Sequence, residues 1–280
     1  MSDHQPNRAD VLRTLTAAGQ PYELIETTVL GRDCRFFKNA PATLRELFAD
    51  SASDAEFLVY EDERLTFAQT LTKSAQIAQL LVRDYGIAKG DRVAISMRNY
   101  PEWVLSFMAI TSIGGIAVAM NSLWRPDEMA YGLNDSGAKV LIADDERLER
   151  FAQIEESLSV RTIAVRTAAF SNSPELSALL SSQAETHGVL AMPKQRPEPE
   201  DDATILYTSG STGHPQGRGV VPSKYFSGIA ELGTRSNLRR SHAAGTTSAS
   251  GPASGDPSRC SAVSRHRFSR SLSGQLPTPA

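Results

Sequence analysis

The chain has 280 residues, 40% of them hydrophobic and 22% charged, with a formal net charge of −3. That length and apolar content allow a sizeable buried core, and the slight negative balance points away from a protein that binds nucleic acid as a whole. Its two cysteines, Cys34 and Cys260, lie far apart without metal-ligand spacing; they read as free thiols of a reducing compartment, which excludes a disulfide-stapled secreted fold.

The first ten residues are polar and lack an apolar signal-peptide core, so a cytoplasmic location is expected. Residues 8–19 set Val11, Leu12 and Leu15 at helical spacing ahead of Gly19, which predicts a short amphipathic helix within an N-terminal helical extension over 1–40. A second helix is expected over 43–49, with Leu44, Leu47 and Phe48 on one face. Residues 56–60 read as a strand, 61–64 as a hairpin turn, and 65–67 as the lead into a helix over 67–85. There Leu71, Ala75, Ala78, Leu81 and Val82 recur at helical spacing, with Gly86 as the C-cap.

A buried strand is expected over 92–97, then a helix with Pro101 near its first turn, ended by Gly114 and Gly115. Strands at 116–119 and 139–143 flank a helix opened by Pro126. The second of these strands runs into the acidic Asp144, Asp145 and Glu146; a helix over 148–154, a strand over 160–165 and a short helix over 174–180 complete the series. Residues 103–120 approach the length of a membrane span, but Ser106, Thr111, Ser112 and the glycine pair interrupt them, so a buried helix–turn–strand is expected there. Short Val/Ile/Ala-rich strands alternating with helices predict an α/β fold built on a parallel, doubly wound sheet.

Residues 193–202, with three prolines and several acids, read as a surface crossing to the apolar run 203–206. There follows Tyr207-Thr208-Ser209-Gly210-Ser211-Thr212-Gly213-His214-Pro215, which reads as a strand ending in a phosphate-binding loop. Thr208, Ser209, Ser211 and Thr212 supply hydroxyl donors, and Gly210 and Gly213 let the backbone approach a polyphosphate closely. The Walker A pattern G-x-x-x-x-G-K-[ST] is absent, so this is not a P-loop NTPase. A bare Gly-Ser-Thr-Gly run fits an ordinary surface turn equally well.

The longer string is more specific. It closely resembles the signature loop of the AMP-forming adenylating enzymes, the superfamily of acyl-CoA synthetases, luciferases and peptide-synthetase adenylation domains. Upstream, Gly90-Asp91-Arg92-Val93-Ala94-Ile95, Asn99-Tyr100-Pro101-Glu102-Trp103, Gly114-Gly115-Ile116 and Asp135-Ser136-Gly137-Ala138-Lys139-Val140 stand in the order and approximate spacing of segments typical of the acyl-CoA branch. The resemblance covers about residues 40–215, less than half of a full-length member.

The resemblance implies that residues 41–217 are a partial N-terminal domain of the adenylate-forming fold, a parallel sheet flanked by helices. It implies a loop, with Thr208, Ser209, Gly210, Ser211, Thr212, Gly213 and Gln216, that grips the β- and γ-phosphates of ATP while a carboxylate attacks the α-phosphate. ATP, Mg2+ and coenzyme A are the implied cofactors, and a small-molecule carboxylic acid the implied substrate. No catalytic residue is assigned: Asp91 and Arg98 are expected to be structural or solvated, and the isolated His4 and His187 incidental.

Where the family continues Pro-Lys-Gly-Val-Val, this chain has Pro215-Gln216-Gly217-Arg218-Gly219-Val220, so an uncharged Gln216 stands in the place of the phosphate-holding lysine. The family's later aromatic-Gly-x-Thr-Glu and Thr-Gly-Asp segments, hinge and C-terminal domain with its catalytic lysine have no counterpart. Residues 218–280 are rich in Arg, Ser, Gly and Pro; residues 235–280 carry a net +6 and residues 1–234 a net −9, a composition expected to be disordered. Within 235–280 there is no lysine and Phe268 is the sole aromatic residue, which disfavours a stacking RNA-binding arm. If the first base of the Gln216 codon is an insertion, the next frame can read lysine, glycine, valine, valine, so a frameshift at codon 216 is expected. Three readings stand: a fatty-acid–CoA ligase (AMP-forming) by descent, truncated and inactive alone; a non-catalytic nucleotide-binding remnant; and a protein that binds RNA or another partner through an Arg-rich tail.

Overall fold

The computed structural model describes residues 7–29, 31–167, 170, 173–208 and 216–220, which fall into two compact units, residues 7–41 and 42–220. Of the tail expected to be disordered, residues 218–220 lie in a strand and the rest, beyond Val220, lies outside the described residues, as do His4 and Cys260.

In the first unit, α1 (Arg8–Leu15) begins where the Asn7 side chain accepts the N–H groups of Ala9 and Asp10, satisfying two donors that the first helical turn leaves free. An antiparallel hairpin of β1 (Leu24–Val29) and β2 (Arg32–Phe37) follows, in the register Thr27↔Cys34. The helical extension expected here thus contains a two-stranded element as well. Cys34 is a half-buried free thiol, as expected.

The second unit runs α2 (Leu44–Asp50), β3 (Glu56–Tyr60), β4 (Glu63–Thr66), α3 (Phe67–Arg83), β5 (Arg92–Ser96), α4 (Pro101–Ser112), β6 (Ile116–Ala119), α5 (Pro126–Ser136), β7 (Val140–Asp144), α6 (Asp145–Phe151), β8 (Arg161–Val165), α7 (Leu176–His187), β9 (Thr204–Thr208) and β10 (Gln216–Val220). Local chemistry sets the boundaries. Thr66 and Gln69 form a reciprocal capping box at the start of α3, and Pro101 and Pro126 occupy the first turns of α4 and α5, where a missing N–H costs nothing. Helix α6 starts earlier than periodicity predicts because Asp144 caps it, its side chain accepting the Arg147 N–H.

The main sheet has the order β10-β9-β6-β5-β7-β8, parallel throughout except for β10. Both faces are buried. Val93, Ile95, Ile142 and Ile163 pack with Ile77 and Leu81 of α3 and Ile110 of α4. Ala94, Val118, Leu141 and Ala164 pack on the other side with Met129 and Leu133 of α5 and Leu148 of α6. Adjacent residues of one strand point to opposite faces, so a strand covered on both sides must be apolar at every position. Residues 103–120 become α4, a glycine turn and β6, and among the described residues no helix is long and apolar enough to cross a membrane.

The linker that delivers the chain to β9 is tied down by Arg45. Its guanidinium donates to the carbonyls of Ser112, Pro193 and Gln195 at 3.2, 2.8 and 2.7 Å. One side chain thereby closes the C-terminal end of α4 and anchors the crossing segment.

Candidate functional site

In an open parallel sheet, helices start just beyond the carboxyl ends of the strands, and ligands gather in the crevice there. Strand β9 ends on that edge at Thr208, and the chain returns as β10 with Gln216 paired to Thr208 and Gly217 to Tyr207. Of the residues expected to grip phosphate, Thr208 and Gln216 are therefore register partners that close the stem of a hairpin. Ser209, Gly210, Ser211, Thr212 and Gly213 lie outside the described residues. The domain boundary expected after Gly217 falls inside β10, whose pairing continues to Val220↔Thr204.

Tyr207, just inside the hairpin mouth, is half-buried. Its hydroxyl donates to Asp135 Oδ2 at 2.8 Å and lies 3.2 Å from the Gly132 carbonyl, both on α5. Its ring meets Trp124 edge to face, with centroids 5.3 Å apart. On β10, a methyl group built on Gly217 would stand 3.0 Å from the same ring. Burial, and then the Asp135 carboxylate, raise the Tyr207 phenol above its ordinary pKa, so it remains a donor through neutral pH. Trp124 presses in turn on Gly132, where a methyl group would stand 2.5 Å from the indole.

Trp124 belongs to the segment after β6, and the α6 side holds that segment from below. Arg147 Nε donates to the Ser122 carbonyl at 3.0 Å, and Arg150 Nη1 donates to the carbonyls of Ser122 and Trp124 at 2.8 and 3.0 Å. Arg147 is itself paired with Asp144 at 3.3 Å, with side chains only 4% and 2% exposed. Asp144 also accepts the Arg98 N–H at 2.9 Å. Three carboxyl-edge segments, after β5, β6 and β7, thus meet at one buried ion pair.

The remaining candidates are structural. The exposed Arg98 contributes its backbone N–H, as just described. Asp91 accepts the Ala88 N–H at 2.9 Å and pairs with Lys139 at 2.7 Å. Partial burial pushes its pKa up, but Lys139 and the Ala88 N–H outweigh that, and the net direction is down. His187 is exposed, 2.6 Å from Arg83 Nη2. Arg166, beyond β8, pairs with Glu102 at 2.9 Å and Glu63 at 2.8 Å and lies over the rings of Tyr60 and Tyr100. Among the described residues no group of three or more His, Cys, Asp or Glu side chains could hold a metal ion. A cavity of about 420 Å³ lined by Lys89, Gly90, Gly114, Ile116, Asp201 and Asp202 opens at the amino ends of β5, β6 and β9, away from the hairpin mouth.

Sequence reasoning misses the roles of Tyr207, Asp135, Trp124, Arg45 and Arg147. A signal exists for the last alone: Asp144 with Arg147 three residues on, at a strand-to-helix junction, is the pattern of a capping aspartate with an ion-pair partner.

Residues 46–221 match the family described as AMP-binding enzyme. The chain is 32% identical over 160 residues to the 2-succinylbenzoate–CoA ligase of Bacillus velezensis, which covers 57% of this chain and 29% of the ligase. It is 30% identical over 184 residues to a medium/long-chain-fatty-acid–CoA/3-oxocholest-4-en-26-oate–CoA ligase of Mycobacterium marinum, covering 63% of this chain and 33% of that one. The crystal structure of the anthranilate CoA ligase AuaEII in complex with anthranoyl-AMP superposes with a TM-score of 0.61 at 25% identity, covering 67% of this chain and 36% of that one. The chain spans about a third of the length of the curated relatives it matches.

Proposed function

Because the chain belongs to the AMP-binding enzyme family, and acyl-CoA ligases are among its relatives, we propose that residues 208–216 are the ATP-phosphate grip of an AMP-forming fatty-acid–CoA ligase. The supporting observation is the hairpin itself: a parallel strand delivers a hydroxyl- and glycine-rich loop to the carboxyl edge of the sheet, and Thr208↔Gln216 pairing closes it. In this reading the hydroxyls of Thr208, Ser209, Ser211 and Thr212 and the loop amides hold the β- and γ-phosphates. A substrate carboxylate oxygen attacks the α-phosphorus, the bond to the bridging oxygen breaks, and pyrophosphate leaves. The thiol of coenzyme A then attacks the acyl carbon and expels AMP. Mg2+ would neutralise charge on the phosphates; no residue of this chain is assigned to it. A cytoplasmic location belongs to the same reading and rests on the cysteine usage.

Adenylyl transfer depends on positioning and on cations that stabilise developing charge. Gln216 brings none where the resemblance implies a lysine, and the family match stops at residue 221. The finer proposal is therefore that the gene carries a frameshift at codon 216 and that this polypeptide alone does not adenylate. We expect the purified chain to show no ATP–pyrophosphate exchange with fatty or aryl acids; exchange above background with any of them would refute this. Resequencing the gene through codons 205–280 tests the frame directly, with Pro-Lys-Gly-Val-Val followed by an aromatic-Gly-x-Thr-Glu segment as the expected continuation.

A non-catalytic nucleotide-binding protein is the second reading, favoured by the same Gln216 substitution. MgATP binding by a chain that fails the exchange assay distinguishes it. An RNA-binding tail would reveal itself by steep salt dependence of binding.

A further inference from the structure

We propose that Tyr60, Tyr100, Glu63 and Glu102 form a cage specific for a guanidinium group, which the chain fills with its own Arg166. The filled cage latches the tip of the β3–β4 hairpin to the carboxyl edge of the main sheet. Arg166 Nη2 pairs with Glu63 at 2.8 Å, and Nε donates to Glu102 at 2.9 Å. The guanidinium carbon lies 4.9 Å from the Tyr60 ring centre and 5.1 Å from that of Tyr100, and the two rings meet edge to face. A flat cation with donors around its rim uses two carboxylates and two π faces at once, whereas an ammonium is a compact point charge. One positive charge answers two negative ones, so an emptied cage keeps a strong demand for a cation of the same shape.

Four segments converge there: the end of β3, the start of β4, the first turn of α4 and the exit of β8. Among the described residues β3 and β4 pair only with each other, and an isolated two-stranded ribbon is marginal in water. The base of the hairpin is held by apolar contacts, with Phe57 stacked on Phe67 of α3 at 4.2 Å and Leu58 packed against the core. The tip is held by the cage, in which Arg166 reaches Glu63 across 103 residues. Backbone conformation marks the same place. Among the described residues Glu61 and Arg166 are the non-glycine residues with positive φ, at 49° and 55°. That region is unfavourable for a residue with a side chain, so at Arg166 the cage contacts offset a backbone cost that glycine would escape.

The test vacates the cage and refills it. The full 280-residue chain is prepared as wild type, as Arg166→Gly, as Arg166→Lys, and as Arg166→Gly combined with Glu102→Gln. Arg98→Ala, at an exposed arginine, is the control. Amide hydrogen exchange is followed strand by strand in millimolar methylguanidinium, and in methylammonium or sodium at equal ionic strength. In Arg166→Gly we expect amides of residues 56–66 to exchange about ten-fold faster than in the wild type, while those of β5, β6 and β7 keep their rates. Methylguanidinium should return them to within about three-fold of the wild type, and methylammonium and sodium should not. Arg166→Lys should fall between, since an ammonium keeps the charge and loses the fork. The combined variant should gain nothing from methylguanidinium, and neither should the wild type, whose cage is full, nor Arg98→Ala. If Arg166→Gly does not fold by itself, refolding yield in methylguanidinium against methylammonium carries the same test.

Unchanged exchange in the hairpin of Arg166→Gly overturns the latch, and so does equal acceleration of all strands. Failure of methylguanidinium to restore protection, or equal restoration by methylammonium, overturns the cage as a guanidinium site. Restoration in the combined variant to the same degree as in Arg166→Gly also overturns it, because Glu102 would then take no part in holding the cation.

Discussion

Asp144 and Arg147 show how a charged pair can organise a sheet edge rather than decorate it. Both are almost fully buried, and the pair is satisfied on all sides by the Arg98 N–H, the Ser122 carbonyl and Glu146. Removing one partner would leave the other buried and uncompensated, which costs about 3–5 kcal/mol. Arg147→Ala should therefore lower the unfolding free energy by roughly that amount in urea titrations. Arg125→Ala, which breaks only the exposed contacts to Asp127 and Glu128, should change it by less than about 0.5 kcal/mol. Asp91 gives a pH signature of known sign. Its folded-state pKa is depressed below the ordinary 3.8, so its contribution is present above the unfolded pKa and lost as the pH falls through the folded value. Above about pH 5 the difference between the wild type and Asp91→Asn should be constant; below about pH 4 the wild type should lose stability more steeply, and the two urea midpoints should converge once the pH is under the folded-state pKa.

Among the elements, α5 and its neighbours illustrate packing that no propensity scale encodes. Gly132 lies inside a helix, where glycine is ordinarily unfavourable, and it is tolerated because the Trp124 ring fills the place of its side chain. Gly132→Ala should improve helix propensity and still destabilise the protein, by about 1–3 kcal/mol, because the indole must leave its seat; a thermal melt decides the sign. The sequence-based elements are recovered over most of the second unit, since caps and prolines are local: Thr66, Pro101, Pro126 and Gly137 each sit at or beside a helix end. Helix α7 extends to His187, well past the expected stop near residue 180, because Gln183 is buried and donates to the Gln76 carbonyl of α3. The β1–β2 hairpin escapes sequence-based assignment because β1 shows no alternation of burial and β2 alternates only over residues 33–36, too short a run to mark a strand.

At the scale of the whole molecule, the second unit is built on a sheet of five parallel strands with one antiparallel neighbour. The pattern of short apolar strands and capped helices was enough to determine the α/β class and the approximate places of the elements from α2 to β9 in the second unit. These are properties of residues close together in the chain. Strand order, the antiparallel return of β10 and the partners of the site were decided only in three dimensions. Tyr207 and Asp135 are 72 residues apart, and Arg45 reaches Gln195 across 150. A single sequence carries no periodicity over such distances; contacts of that range exist because burying both faces of one sheet leaves its edges, and the helices over them, nowhere else to pack.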